Sequence, residues 1–155
     1  MPKLKLAELA QIAEIVAAVA VVASLIYVGT EVRSNTSAIQ GATMQAIATS
    51  DAAALMTIAS SADLSEIIRQ GNQDASQLTP ADAFRYGIFM RQFWLSFQNI
   101  HQQSELGLID SSVWQSYVSV ICGMWSQPGV QNTWPNHLNV LEPSFVAVVE
   151  ACESR

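Results

Sequence analysis

Length, composition and charge limit the classes of protein to which this chain of 155 residues can belong. Acidic residues number 13 against 7 Lys and Arg, so the net charge is −6, and charged residues make up only 13% while hydrophobic residues reach 50%. That charged share is about half the usual value for a soluble protein. The acidic balance argues against a nucleic-acid groove, which needs basic residues to neutralise phosphates. Two cysteines are too few for a disulfide framework or a thiolate zinc site.

The charges divide the chain into two parts. Residues 1–33 carry equal numbers of acids and bases, whereas residues 34–155 hold four arginines, ten acids and no lysine. The length suits a short anchor followed by one small domain. The sequence therefore predicts an N-terminal membrane-anchor helix over residues 1–33 and a helical extramembrane domain over residues 34–155.

The anchor is predicted from an uncharged apolar run that extends from Ile15 to Thr30. As a helix it is ~24 Å long, and the segment from Leu9 to Ala13 extends it to the ~30 Å of a bilayer core. The buried core helix of a soluble protein and a removable signal peptide share this composition, so both remain alternatives. The helical pattern continues past residue 33 without a break, which favours a retained membrane helix.

Small residues recur on one side of this helix at alternating spacings of three and four. In a bilayer, small side chains let two helix backbones approach closely and associate. The alternative is that alanine is simply a good helix former. We predict a helix-association face, called here the small-residue face, which consists of Ala10, Ala13, Ala17, Ala20 and Ser24.

The orientation of the span is predicted from positive charge. Lys3 and Lys5 precede the span, and Arg33 follows it closely. By the positive-inside rule, this small excess places the N-terminus in the cytoplasm.

Beyond the span, helical spacing without proline predicts one long helix that ends near Ala59. A short helix from Leu64 to Gln70 follows, with Gly71 as its C-terminal stop and a polar loop over residues 71–78. Thr79 and Pro80 then form a helix start, because threonine can cap and proline suits the first turn.

The helix that begins at Pro80 is predicted to run to about Glu105 and to bury an aromatic stripe in the core. Gly107 ends it, and Asp110 caps the next helix, which Pro128 breaks. Pro143 opens the last helix. No strand-like alternation of useful length occurs, so the predicted class is all-α. The stripe consists of Tyr86, Phe89, Phe93, Phe97 and Ile100.

These features resemble a family of uncharacterised bacterial proteins, a domain of unknown function. The resemblance is carried by AEIVAAVAVVASLIYVGTEVRSNT at residues 13–36, LTP at 78–80, FQN at 97–99, GLID at 107–110, Trp114, Pro128-Gly129, Trp134 and Phe145. It implies one N-terminal membrane helix with a small helical domain, and so a single-pass protein of the bacterial inner membrane. The matching residues are caps, turns and core aromatics, so the resemblance implies no activity, substrate or cofactor.

Histidine and cysteine chemistry is sparse. His101 and Glu105 share a helix face at a spacing of four, but a dimetal site of the ferritin type needs Glu-x-x-His pairs on two helices. His137 is expected in a loop. Cys122 lies in an apolar run where a thiol stays protonated, and it either joins Cys152 in an oxidising compartment or stays reduced. We predict no catalytic residue, no metal and no cofactor.

Arginine offers the remaining candidate site, because residues 34–155 contain no lysine. The guanidinium group recognises carboxylates and phosphates through a planar set of donors. Arg85, Arg91, Asn99 and His101 therefore define a candidate ligand or anion site. The alternative is surface ion pairing of the arginines with acidic neighbours such as Asp82.

Two functional hypotheses of different class follow. The preferred one is a non-catalytic membrane-anchored subunit that self-associates, or that packs as an accessory or scaffold subunit of a larger membrane complex. Its partners are the lipid bilayer and itself or other integral-membrane subunits, with no nucleic acid. The second is a ligand-binding sensory module for a small anion or an apolar molecule.

Overall fold

The computed structural model describes residues 6–154 and is all-α over that range. A long N-terminal apolar helix precedes a helical bundle, and the described residues contain no strand, which confirms the predicted fold class. The helices are α1 (Leu6–Ala59), α2 (Ala62–Asp74), α3 (Pro80–Glu105), α4 (Ser111–Trp125), α5 (Pro128–Thr133) and α6 (Pro143–Glu150). Short 3₁₀ turns cover Ala75–Gln77, Trp134–Asn136, Leu138–Val140 and Ala151–Ser154.

The chain divides by its contacts into an N-terminal unit, residues 1–41, and a C-terminal unit, residues 42–155. The division predicted at residue 33 is one of charge, and it stays a prediction. Lys3 and Lys5, which carry the orientation argument, lie outside the described residues. Helix α1 ends at Ala59, where the hydrophobic spacing predicts its end.

Helix α2 begins at a side-chain cap and runs further than predicted. The Ser61 hydroxyl accepts a hydrogen bond from the backbone N–H of Leu64 at 3.2 Å. The helix then continues through Gly71 to Asp74, so the predicted stop at Gly71 and the predicted loop from that residue are wrong. Gly71 is buried, and a Cβ there would lie 2.5 Å from the Tyr86 ring. This glycine permits close packing instead of ending the helix.

Helix α3 has the predicted start and end. The Thr79 hydroxyl accepts from the Asp82 N–H at 3.2 Å and donates to the Asp82 carboxylate at 2.7 Å, while Pro80 occupies the first turn. The helix ends at Glu105, and Gly107 follows with a φ of 70°, the left-handed conformation that glycine adopts without strain. Asp110 occupies the capping position of α4 but makes no side-chain cap hydrogen bond.

Aromatic side chains form the core of the C-terminal unit. Tyr86, Phe97 and Ile100 are buried as predicted, whereas Phe89 and Phe93 are only partly buried. The ring of Trp94 lies 5.0 Å from that of Trp134 in an edge-to-face arrangement, and Trp134 meets Trp125 at 5.4 Å. Such aromatic pairs stabilise a core beyond the effect of their buried area. The centre of the buried face of α3 is formed by Tyr86, Met90, Trp94, Phe97 and His101.

A disulfide joins the two cysteines. Cys122 in α4 is bonded to Cys152 in the last 3₁₀ turn, with Cα atoms 5.1 Å apart and a sequence separation of 30. Both cysteines are therefore bridged, which decides between the two states left open by the sequence. The bond fastens the C-terminal turn to α4.

Candidate functional site

Two regions are candidates for function, and the first is the surface of α1 in the N-terminal unit. An 18-residue window of this helix has a mean hydropathy of 2.3, which is long and apolar enough to span a membrane. None of that window is buried by the described chain, and every residue from Glu8 to Ile39 is exposed.

The small-residue face lies in this exposed segment. Successive residues are rotated by about 100° in an α-helix, so the spacings of three and four place all five members on one side. Ile15, Val19, Val22 and Ile26 lie on the opposite side and are exposed as well. One turn beyond, the Tyr27 hydroxyl donates to the Glu31 carboxylate at 3.2 Å, and the Thr30 hydroxyl donates to the Tyr27 carbonyl at 2.7 Å. Polar groups at this end are thus satisfied within the helix.

The four residues of the predicted anion site have different surroundings in the structure. The Arg85 guanidinium donates to the Asp63 carboxylate at 2.7 Å and lies 3.7 Å from that of Asp82, so it forms surface ion pairs. Asn99 is exposed beside Ser96 and the Asp51 end of α1. Exposed ion pairs of this kind contribute little to stability, typically below ~1 kcal/mol.

His101 lies inside the bundle rather than at a helix surface. Its ring centroid is 5.1 Å from that of Trp114 and 6.0 Å from that of Phe145. It is buried, and neither ring nitrogen has a hydrogen-bond partner among residues 6–154. His101 therefore functions as an aromatic element of the core, whereas Arg85 and Asn99 are exposed.

The second candidate region is a groove of about 370 Å³ in the C-terminal unit, called here the Arg91–His137 groove. Arg91 of α3 lines it together with Asn136 and His137, which follow α5. His137 is buried although the sequence predicts only a loop position. Burial, together with the positive charge of Arg91, holds the pKa of the His137 imidazole below its usual value. The ring is therefore neutral at pH 7.

Two polar contacts between distant helices were not predicted. The Tyr117 hydroxyl of α4 donates to the Asp51 carboxylate at 2.6 Å. Burial and this hydrogen bond raise the pKa of Tyr117 to about 12. The second contact joins α3 to the start of α6. The side-chain oxygen of Gln98 in α3 accepts a hydrogen bond from the backbone N–H of Glu142 at 2.6 Å. Neither Tyr117 nor Gln98 carries a local sequence signal for its partner, which lies 66 residues away for Tyr117 and 44 residues away for Gln98.

The described residues contain no group of three or more His, Cys, Asp or Glu side chains placed to hold a metal ion. The chain matches no protein-family model, and no curated protein or solved structure matches it significantly. Membership of the bacterial family that it resembles therefore stays a prediction, and the functional argument depends on the two regions described above.

Proposed function

We propose that the chain is a non-catalytic, membrane-anchored helical subunit that associates through the small-residue face, either with copies of itself or with other integral-membrane subunits as an accessory or scaffold component. The observation that carries the proposal is the fully exposed apolar segment of α1 with a row of small residues on one side. A bacterial inner membrane is the setting that the family resemblance implies.

The exposed apolar surface of this segment must be shielded from water. Monomeric soluble proteins rarely expose contiguous apolar patches of more than a few hundred Å², because apolar surface in water is unfavourable. Ile15, Val19, Val22 and Ile26 present branched side chains, which suit lipid tails. These two features favour burial of the segment in a bilayer.

Within a bilayer, the two sides of α1 have different uses. Lipid tails are as apolar as the branched side, so no hydrophobic force drives helices together there. Ala13, Ala17 and Ala20 instead allow a second backbone to approach, so that dispersion contacts and weak Cα–H hydrogen bonds accumulate. A helix that packs on the small-residue face leaves the branched side in contact with lipid.

The disulfide supports an orientation. Disulfides persist in oxidising compartments and are rare in the cytosol. A bond between Cys122 and Cys152 therefore favours a C-terminal unit outside the cytoplasm, which agrees with the cytoplasmic N-terminus suggested by Lys3 and Lys5. Because the bond also occupies both thiols, neither cysteine supplies a nucleophile, in line with a non-catalytic role.

The proposal is tested by native mass spectrometry of the full chain, solubilised gently from its own membrane. We expect an assembly of fixed composition, either a homo-oligomer or a complex with other membrane proteins. The triple variant A13L/A17L/A20L should dissociate that assembly, because leucine side chains hold the backbones apart.

The matched control is the triple variant I15L/V19L/V22L, which places leucines on the branched side of the same turns. It should keep the assembly, because those side chains face lipid. A wild-type chain that is monomeric in several mild detergents contradicts the proposal, as does equal assembly of both triple variants. A mature protein whose mass lacks the N-terminal helix would identify a cleaved signal and also refute it.

A further inference from the structure

The Arg91–His137 groove contains a cation to which the described residues supply no acidic partner. Arg69 pairs with Glu66 at 2.6 Å and Arg85 pairs with Asp63 at 2.7 Å, so these arginines of α2 and α3 are matched by carboxylates. No acidic side chain among residues 6–154 lies within ion-pair distance of Arg91. In a unit where acids outnumber arginines, an exposed guanidinium without a carboxylate is available to an external anion.

The groove is also lined by a buried polar side chain that has no hydrogen-bond partner in the part of the chain that the structure describes. His137 is only 2% exposed, and neither of its ring nitrogens has a hydrogen-bond partner among residues 6–154. Buried polar groups in native proteins are nearly always hydrogen-bonded, so a buried ring without partners requires an explanation. The ring lines the same groove as Arg91. Both nitrogens are enclosed by the protein, as those of His101 are, so His137 contributes the surface of its ring as a wall of the groove beside Arg91.

The wall of the groove that α3 forms beside Arg91 is largely apolar. Phe84 and Ile88 of α3 line it and are 70% and 56% exposed, which is unusual for large apolar side chains in a bundle with a well-filled core. Phe84, Ile88 and Arg91 are spaced by four and three residues and lie on one helix face. Between them, Gly87 forms part of the floor, and a Cβ built on it meets nothing within 4 Å. The space beside the guanidinium is therefore open and bordered by hydrocarbon.

We propose that the Arg91–His137 groove binds a small carboxylate that bears a short alkyl chain, with the carboxylate on the Arg91 guanidinium and the chain along Phe84 and Ile88. One arginine matches the single charge of a carboxylate, whereas a phosphate monoester carries about −1.5 to −2 at pH 7. The volume of about 370 Å³ is within the range of small-molecule sites. This binding site is independent of the association proposed for α1.

The experiment titrates hexanoate into the full chain in non-ionic detergent and follows the ring signals of histidine by NMR. The chain has two histidines, so His101 in the core is an internal reference for His137. We expect a saturable shift at His137 with His101 unchanged. Each methylene added between acetate and hexanoate should tighten binding about twofold to fourfold, as expected for a partly buried alkyl chain. Hexan-1-ol and inorganic phosphate should bind at least tenfold more weakly than hexanoate.

Two variants, each with a matched control, locate the site. R91Q removes the charge and should weaken hexanoate binding at least tenfold, whereas the control R85Q, which changes an ion-paired arginine two turns earlier on α3, should change it less than twofold. G87L fills the floor of the groove and should weaken binding at least tenfold. Its control is G123L in α4, where a Cβ also meets nothing within 4 Å.

Both glycine variants should fold, because leucine is a better helix former than glycine. Binding that is unchanged in R91Q, or equal for hexanol and hexanoate, refutes the carboxylate site. Tighter binding of phosphate than of hexanoate refutes the assigned ligand class, and a ring signal of His137 that never saturates refutes the groove as a site.

Discussion

Helices α2 and α5 approach each other through two glycines, and this contact supports a quantitative prediction. A Cβ on Gly129 would overlap the Gly71 carbonyl oxygen, and it would lie 2.9 Å from the carbonyl carbon of Gly71 and 3.0 Å from that of Asn72. Gly107 is the one residue described with a positive φ. Gly129 therefore has ordinary helical dihedrals, and the effect of adding a methyl group at this position is purely steric.

We expect Gly129→Ala to destabilise the C-terminal unit by about 2–3 kcal/mol, the upper part of the range for overpacking. The obstacle is helix backbone, so no side-chain rotation relieves it, and α5 must move away from α2. At about 4 °C per kcal/mol for a unit of this size, the melting temperature falls by roughly 8–12 °C. Gly71→Ala should lower the free energy of unfolding by less, about 1–3 kcal/mol. Its Cβ meets the Tyr86 ring rather than backbone, and this ring can shift. The shift weakens the hydrogen bond from the Tyr86 hydroxyl to Asn72.

Tryptophan fluorescence is the suitable assay, because all four tryptophans lie in the C-terminal unit and α1 contributes none. The control is Gly87→Ala, at a mid-helix glycine where the added Cβ meets nothing, and it should stabilise the unit by about 0.5–1 kcal/mol through helix propensity. A Gly129→Ala protein that melts at or above the wild-type temperature would show that α5 does not approach the α2 backbone.

Three further predictions concern the C-terminal unit. Replacing Cys122 and Cys152 by alanine should lower its stability by about 3.5 kcal/mol, from the loop-closure entropy of a 30-residue separation, and the denaturant midpoint of tryptophan fluorescence measures this. The pKa of Tyr117 is raised to about 12, so its contribution to stability is full below pH 10 and is lost as the pH rises from 10 to 12. Tyr117→Phe, which breaks the bond to Asp51, should reduce that alkaline loss and remove one phenol from the absorbance titration at 295 nm. Gly107→Ala places a Cβ in a left-handed conformation and should lower the free energy of unfolding by about 1–2 kcal/mol in the same fluorescence assay.

Local signals allowed the ends of α3 to be predicted from the sequence. Thr79 and Pro80 favour a helix start whatever surrounds them, since the hydroxyl and the proline ring act on their own backbone. Gly107 likewise ends the helix through its own left-handed φ. These rules involve residues within four positions of one another, which the sequence displays directly.

Gly71 shows where a local rule fails. Glycine after a short amphipathic segment is typical of a helix end, but here α2 continues because Gly71 packs against the Tyr86 ring and the backbone of α5. The cost of glycine inside a helix, about 1 kcal/mol, is offset by close packing between elements. Gly129 lies 58 positions further along the chain, so no local pattern reveals the contact.

The predicted aromatic stripe of α3 differs from the observed buried face by part of a turn, for a similar reason. Phe89 and Phe93 are aromatic and are therefore predicted to be buried, yet the centre of the buried face is formed by Met90 and Trp94. Which side of an apolar helix is buried depends on where Trp134 and Phe145 contact it, and the sequence does not give those positions.

The sequence predicts the kind of residue in the candidate site but not which residues lie together there. Arginine in a lysine-free domain indicates anion recognition, and this prediction includes Arg91. His137 was expected in a loop, because the residues around it lack helical periodicity. Its burial against the groove depends on the packing of α3 with the turns after α5, across more than 40 residues of chain. The pairing of Arg91 with His137, rather than with Arg85 and His101, is thus a property of the fold.

The acidity of the C-terminal unit bears on which anion the groove can hold. Residues 34–155 carry the whole net charge of −6, so the long-range field of the unit repels anions. At physiological salt this field decays over about 8 Å, whereas a guanidinium in contact with a carboxylate acts through two short hydrogen bonds. One carboxylate neutralises Arg91 and leaves the charge of the groove at zero. A phosphate would leave excess negative charge in a unit that is already acidic as a whole, which disfavours it relative to a monovalent anion whose remaining affinity comes from apolar contact.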